Sequence, residues 1–501
     1  METEPTPYGE GITIDIARMS ATGLASFQGI ENIVASNLGT DQVLGSANND
    51  TFEIIDRGRG RINNMLSFSN IEKLNGQDGN DIFDFGRLAS PSNLLIIGGG
   101  LTDENLTDNR MVNSAPETVW EIDGKNQGQL RQGSTVLARF SDIQNLENNS
   151  NSGIGTRAQF TGSDTEITGS INSGSRDLSL VGNTIGSASL SGTGTLTISP
   201  ENTSADIVLG GTNEQDAALN ITNTALNSIQ QSFRSILIGG ERYTGGIRAV
   251  SDISFQASVM LRSQADIDTR GVQIETTNGN LTLQTNGAIR SDRLRANNGA
   301  LRLEAQSDLA ANRMTAKGQQ GIDLTSRTGS VTVSNLLDSS SSTRGHDIRI
   351  VANGDINTGQ IISSGGGQGG DVNLTSTLGS ITTGGITTTN RDSPTPNNLP
   401  SRPGNVSLRS PGNIQISFID ARSSADNTDP SRVDIETQGK LSITESVPDP
   451  AFGLLQAGAS ISTRGANGGD VSLRYGSRDR FADLFLIGNR SNNGTTFRIE
   501  T

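Results

Sequence analysis

Between Val272 and Tyr475 a short pattern recurs: aliphatic, polar, aliphatic. Its copies are Leu281-Thr282-Leu283, Leu301-Arg302-Leu303, Ile322-Asp323-Leu324, Ile348-Arg349-Ile350, Val372-Asn373-Leu374, Val406-Ser407-Leu408, Val433-Asp434-Ile435 and Val471-Ser472-Leu473. Successive starts are 20, 21, 26, 24, 34, 27 and 38 residues apart. An apolar period of two marks a half-buried strand, and helical spacing does not fit it. Most copies continue into Gly and a second short strand, as in Gly287-Ala288-Ile289, Gly379-Ser380-Ile381 and Gly412-Asn413-Ile414. A unit near 20 residues whose insertions all fall in the connections is what stacked coils of parallel strands produce. The expected fold class is therefore all-β: a right-handed parallel β-helix (β-solenoid), its hand taken from the crossover rule, preceded by an N-terminal strand-repeat section.

Composition agrees with a narrow aliphatic core. Of 501 residues 61 are Gly, only 4 % are aromatic and 32 % apolar, which disfavours a compact enzyme with a large aromatic core. Ser, Thr, Asn and Gly are poor interior helix formers, so a long helical protein is disfavoured too. With no Cys, disulfides, thiolate metal sites and Cys nucleophiles are excluded. The net charge is −15, and no basic stripe of the kind nucleic acid requires is present. The densest basic stretch, Arg290, Arg293, Arg295 and Arg302, is interrupted by Asp292 and Glu304 and reads as solvated strand edges. No window approaches 18 apolar residues, so no transmembrane segment is expected. The start, Met1-Glu2-Thr3-Glu4-Pro5, lacks the basic and apolar regions of a secretory signal; an exported protein would make this chain a mature part or a fragment.

Three sections are expected. Residues 1–150 hold 21 acids and 10 bases and carry their own repeats. Phe27-Gln28-Gly29-Ile30-Glu31-Asn32-Ile33 returns as Phe68-Ser69-Asn70-Ile71-Glu72-Lys73-Leu74 and as Phe140-Ser141-Asp142-Ile143-Gln144-Asn145-Leu146. The first two copies precede turns rich in Gly, Asn and Asp that launch alternating strands, GSANNDTFEI (45–54) and GQDGNDIFDF (76–85). Residues 151–270 read as irregular rungs with one short helix over Thr224–Phe233, with Thr222 or Asn223 as its N-cap. Residues 271–501 read as regular rungs with inserted loops, notably Ser393–Pro403 and Ser446–Phe452, and a C-terminal cap involving Phe481, Phe485 and Phe497.

GDVNLTSTLGSITTGGITTTN, GNIQISFIDA and ASISTRGANGGDVSLRYG resemble the β-strand repeats of large bacterial surface proteins of the filamentous-haemagglutinin-like type. FQGIENIVASN with GSANNDTFEI, VWEIDGKNQGQL with FSDIQNLEN, and ALNITNTALNSIQQSFRSILIGG resemble the N-terminal and connecting parts of such chains. In some of these proteins a caspase-like peptidase domain follows; with no Cys, this chain has no His/Cys dyad. The resemblance implies a non-catalytic, adhesin-like or structural passenger or stalk, extracellular or on the outer cell surface. Its partners would be extracellular glycans or other surface proteins, within a larger protein or assembly.

Two rival functions are written in the residues. GQDGNDIFD (76–84) is similar to the repeat-in-toxin nonapeptide, and GSANNDTFE (45–53) is a more degenerate match. Calcium would draw on Asp78, Asp81 and Asp50, since the ion takes six to eight oxygen ligands. The two nonapeptides start 31 residues apart and are not tandem, which leaves each shell half-built; Asn and Asp also shape tight turns without any ion. A glycan-binding module belongs with this alternative. The second rival, a β-helical carbohydrate-active enzyme, needs paired carboxylates across a scissile bond. Asn427-Thr428-Asp429 and Gly345-His346-Asp347 resemble polygalacturonase fragments in the opposite chain order, and no Asp-Asp pair occurs. His346 reads as an exposed turn residue, Lys317 and Lys440 as isolated, and Ser363–Gly370 as a flexible turn, since it lacks the Lys-Ser/Thr ending of a phosphate loop. No catalytic residue and no required cofactor are expected.

Overall fold

The computed structural model describes residues 11–36, 39–86, 93–100, 108–115, 117–149, 156–161, 165–182, 188–211, 219–229, 233–390, 402–423, 430–448, 458–464, 468–476, 485–487 and 493–501. The chain is nearly all β, with long sheets of parallel strands. It divides into two compact units, residues 1–203 with 212–237, and residues 204–211 with 238–501.

The second unit realises the dominant repeat. All eight pattern starts stand in one register: Leu281, Leu301, Ile322, Ile348, Val372, Val406, Val433 and Val471 are successive partners in parallel strands. A second column joins Ile267, Ile289, Leu309, Val331, Ile356, Ile381, Ile414 and Leu441. A third runs Ile274, Leu294, Met314 and Leu337 beyond a register shift in the same strands. Every residue named in the second and third columns is buried. The aliphatic stacking repeats at the inter-strand spacing of about 4.8 Å, so each side chain packs on its counterparts above and below.

What stops this stack from slipping is polar. Ser263, Thr285, Ser326, Ser376, Ser410 and Thr437 end six strands of the first column, and each hydroxyl donates to a carbonyl of the preceding repeat while accepting an N–H of its own turn. Ser326 Oγ, for example, donates to Ser307 O at 2.6 Å and accepts from Gly329 N at 3.1 Å. Ala305 and Ala352 occupy the same position, and there the turn N–H reaches the carbonyl directly, Ser307 N to Gly287 O at 3.1 Å and Gly354 N to Gly329 O at 2.8 Å. The turn thus has two solutions, one with a bridging hydroxyl and one without. We predict that Ser326→Ala, which can adopt the second, changes stability by less than about 1 kcal/mol. Ser326→Val, whose bulk keeps the N–H and carbonyl apart, should cost roughly 2 kcal/mol or more for two unsatisfied groups; urea melts of the two variants check this.

In the same turns, just before the strands of the second column, a second device holds register. Asp308 Oδ1 accepts Ser330 N, Ser330 Oγ accepts Asp355 N, Asp355 Oδ1 accepts Ser380 N, Ser380 Oγ accepts Asn413 N, and Asn413 Oδ1 accepts Lys440 N, at 2.7–3.1 Å. Each is the residue before a buried aliphatic, where a side-chain oxygen replaces the lost strand partner of a turn N–H.

The first unit has the same parallel register, with antiparallel detours. Ile14, Val43, Leu74 and Ile96 align in parallel register, and so do Phe52, Phe83, Met111, Leu146, Ile171 and Leu190. Two three-strand meanders interrupt the parallel order. Thr51–Asp56, Arg59–Ile62 and Leu66–Ser69 form one; Thr118–Gly124, Gln127–Gln132 and Thr135–Ser141 form the other. The second encloses Trp120, fully buried and edge-on to Phe140 with centroids 6.0 Å apart.

The recurring Phe-x-x-Ile motif proves not to be one structural position. Phe68 pairs beside Ile33, whereas Phe140 pairs beside Ile96 in the other sheet of the unit. The meanders shift equivalent sequence into different strands.

The expected helix exists but is shorter, Asn223–Ser228, with Thr222 as N-cap accepting Ala225 N at 3.1 Å. Ile229 is extended and bridges to Leu190, which ends the helix. Most of both predicted loops, Asn427–Asp429, Phe481 and the side chain of Phe485 lie outside the described residues.

Candidate metal site at the stacked acidic turns

Asp50, Asp78 and Asp81 are the residues that sequence nominated, and the 31-residue spacing that argued against cooperation is one repeat of the first unit. Thr51 pairs with Ile82 and Phe52 with Phe83, so the two turns lie directly over one another. The Phe52 and Phe83 rings stack with centroids 4.9 Å apart, which fixes the approach of the residues just before them.

Three of the four carboxylate oxygens of Asp50 and Asp81 accept N–H groups. Asp50 Oδ2 accepts Ser46 N at 2.5 Å and Asp50 Oδ1 accepts Asn63 Nδ2 at 2.6 Å. Asp50 N donates to Asp81 Oδ1, Asp81 N to Asn109 Oδ1 and Asn109 N to Gln144 Oε1, at 2.8, 2.8 and 2.9 Å. A parallel outer row runs the other way: Asn80 N donates to Asn49 Oδ1 and Asp108 N to Asn80 Oδ1, both at 2.9 Å. Sequence reasoning missed Asn109, Gln144 and the outer row because their turns do not match the nonapeptide. The signal that unites them is an Asp, Asn or Gln two residues before a buried apolar one, as in Asp50/Phe52, Asp81/Phe83, Asn109/Met111 and Gln144/Leu146.

Asp81 stands apart. Its side chain is fully buried and its Oδ2 has no hydrogen-bond partner. Desolvation by burial pushes its pKa up to about 7, with the nearby charges of Asp50 and Asp78 adding to the rise and the Asp50 N–H opposing it. Asp78 is half-buried and acts on Asp81 through its charge. Gly76 is required beneath, since a Cβ there would overlap the Asp81 carboxyl.

Calcium fits this donor set poorly. Asp50 spends both oxygens on N–H donors and Asp81 one, and among the described residues no group of three or more His, Asp or Glu could share an ion. The shell of six to eight oxygens would have to come almost wholly from elsewhere.

The remaining described sequence candidates sit in hydrogen-bonded turns. His346 is buried rather than exposed, at 9 % accessibility, and burial holds its pKa below the usual value. It lies in a packed corner where its carbonyl accepts the hydroxyls of Ser339 and Ser363. The Gly-rich run Ser363–Gly370 is part of that corner, bridged to Arg344, Asn390 and Arg402; Gly365 lets two backbones meet where a Cβ would strike Gln368 O. Lys317 is not isolated: Nζ donates to Asp338 Oδ1 at 2.9 Å, to Ser340 O at 2.7 Å and to Ser340 Oγ at 3.2 Å. Burial opposes the Asp338 charge, but hydrogen bonds from Ser340 and Lys317 outweigh it and keep the pKa below the usual carboxylate range. Lys317 Nζ and Ser340 Oγ both donate to Asp338 Oδ1, so the carboxylate gathers the pair. Comparison with family models, curated proteins and solved structures gives no match for this chain.

Proposed function

We propose that the chain is a non-catalytic passenger of a cell-surface or secreted protein, wound as a right-handed parallel β-helix and related to the filamentous-haemagglutinin-like surface proteins its repeats resemble. The observation that supports this most is how the polar side chains are used. Many of the carboxylates, amides and hydroxyls that a reaction centre would draw on are spent on turn N–H groups and on register between repeats. Outward on the strands of the second unit stand Thr, Ser, Asn, Gln, Arg, Asp and Glu, a surface suited to many weak contacts and not to a single deep site. Extracellular glycans or neighbouring surface proteins are the partners such faces would meet.

The same reading assigns the acidic turns to structure, not to calcium. Purified protein at neutral pH should release no reducing ends or unsaturated sugars from a panel of polysaccharides, and millimolar calcium should leave its melting temperature within about 1 °C. Binding of an ion at a hundred times its Kd would add about 2.7 kcal/mol, several degrees for a domain of this size. Turnover of any polysaccharide would overturn the non-catalytic assignment. A calcium-dependent rise abolished by Asp78→Ala and Asp81→Ala would restore the metal reading. Antibody labelling of intact cells tests the location, and a signal appearing only after permeabilisation would refute it.

A further inference from the structure

Many outward arginines of the second unit are tied to a carboxylate, either one repeat away (Arg290 to Asp266 at 2.5 Å, Arg349 to Asp323 at 3.1 Å, Arg474 to Asp434 at 3.2 Å) or two residues along the chain (Arg270 to Asp268 at 2.5 Å). One adjacent group is at most loosely paired. Register sets Arg293 directly beside Arg313 on adjacent parallel strands, with Arg295 two residues along from Arg293 on the same outer face. All three are exposed. Arg293 has only loose ion pairs, 3.7 Å to Asp252 and 4.0 Å to Asp292. Arg295 and Arg313 have no hydrogen-bonded or ionic partner among the described residues. Glu275, which the register sets beside Arg295, is engaged instead by Gln273 and Asn297. Sequence grouped Arg293 and Arg295 with Arg302, but Arg302 belongs to the first strand column, and Arg313 takes its place.

Like charges directly opposite one another on a sheet destabilise it, and at a spacing of about 4.8 Å two guanidinium groups can share one anion. We propose that this face, Arg293, Arg295 and Arg313, binds acidic glycans through their carboxylate or sulfate groups. Arginine presents the planar fork that takes such oxyanions in pairs of hydrogen bonds. Asn312 and Thr315 on the same strand supply amide and hydroxyl groups for sugar hydroxyls. The face carries no aromatic anchor of the kind protein partners and single-stranded nucleic acids dock on. The proposal deepens the surface-passenger reading by naming a ligand class.

The test uses the full chain with heparin (sulfated) and polygalacturonate (carboxylated) as probes, dextran as the neutral control and duplex DNA as a competing polyanion, at low and at 0.5 M salt on the order expected to screen surface charge. We expect binding to at least one acidic glycan, none to dextran, and loss at high salt. Arg295→Gln with Arg313→Gln should weaken binding at least about tenfold, the effect of losing about 1.4 kcal/mol, with the melting temperature unchanged or raised. Arg349→Gln, in the first strand column, should bind as the parent does. Equal binding by the double variant, absence of binding to both acidic glycans, or tighter binding to DNA would overturn the proposal. None of these outcomes alters the expected lack of turnover, so the two readings fail separately.

Discussion

Asp81→Asn should make the protein more stable at pH 8 by roughly 2–4 kcal/mol, and the gain should shrink steadily as the pH is lowered toward 4. The buried Oδ2 of Asp81 has no donor, and the ionisable groups that raise its pKa, Asp50 and Asp78, are both acids. Its pKa therefore stands at about 7 in the folded state against 3.8 ordinarily. For an acid raised in this way, the folded state holds its proton where the unfolded chain has lost it. Stability is undiminished below the unfolded pKa, falls as pH rises between the two values, and is fully reduced above the folded one. The limit is up to about 4 kcal/mol at 1.36 kcal/mol per unit. Asn109 shows what an amide achieves one repeat on: Oδ1 accepts Asp81 N, and Nδ2 donates to Gly99 O at 2.9 Å and Asp142 O at 3.2 Å. An amide at 81 removes the charge and brings a donor to the equivalent place. Urea melts of both proteins at pH 4, 6 and 8 check this. Curves that stay parallel across the range would mean Asp81 is charged in the fold.

The strand columns were legible in the sequence because burial on one face of a strand imposes a period of two regardless of what the connections do. Leu281 through Val471 share the pattern for that reason, although their spacing ranges from 20 to 38 residues. The first unit was harder. Its Phe-x-x-Ile copies look equivalent, but two meanders move Phe68 and Phe140 into different sheets; antiparallel detours have no marker that distinguishes them from another parallel coil. The acidic turns were found by likeness to a nonapeptide, yet their stacking depended on recognising 31 residues as a coil length, which only the register of Phe52 on Phe83 reveals. His346 and Lys317 were misjudged for a related reason. Turn residues are usually exposed, but successive turns of a stack cover one another, and a neighbour 20-odd residues away buries what local sequence leaves open. Arg313 escaped notice because it joins Arg293 across strands, not along the chain.

The largest effect expected of any single substitution separates two adjacent residues. Leu374 and Asn373 lie next to each other in the strand Val372–Ser376, Leu374 with no exposed surface and Asn373 turned outward. Leu374 stacks between Ile350 and Leu408, while Asn373 sits between Arg349 and Ser407. Leu374→Asp removes a buried side chain worth about 2–5 kcal/mol when truncated and leaves an unpaired charge among aliphatic neighbours, which adds several more. Together these match the whole stability of a typical domain, about 5–15 kcal/mol, so the strands around residue 374 should lose their amide protection and the melting transition should broaden or vanish. Asn373→Asp places the same charge beside Arg349 and should alter stability by no more than about 0.5 kcal/mol. Hydrogen exchange and thermal melts on the two variants measure the contrast. Because a period-two strand sends neighbours to opposite faces and a period of 3.6 does not, equal damage from both substitutions, or from neither, would contradict a dry aliphatic column running through the repeats.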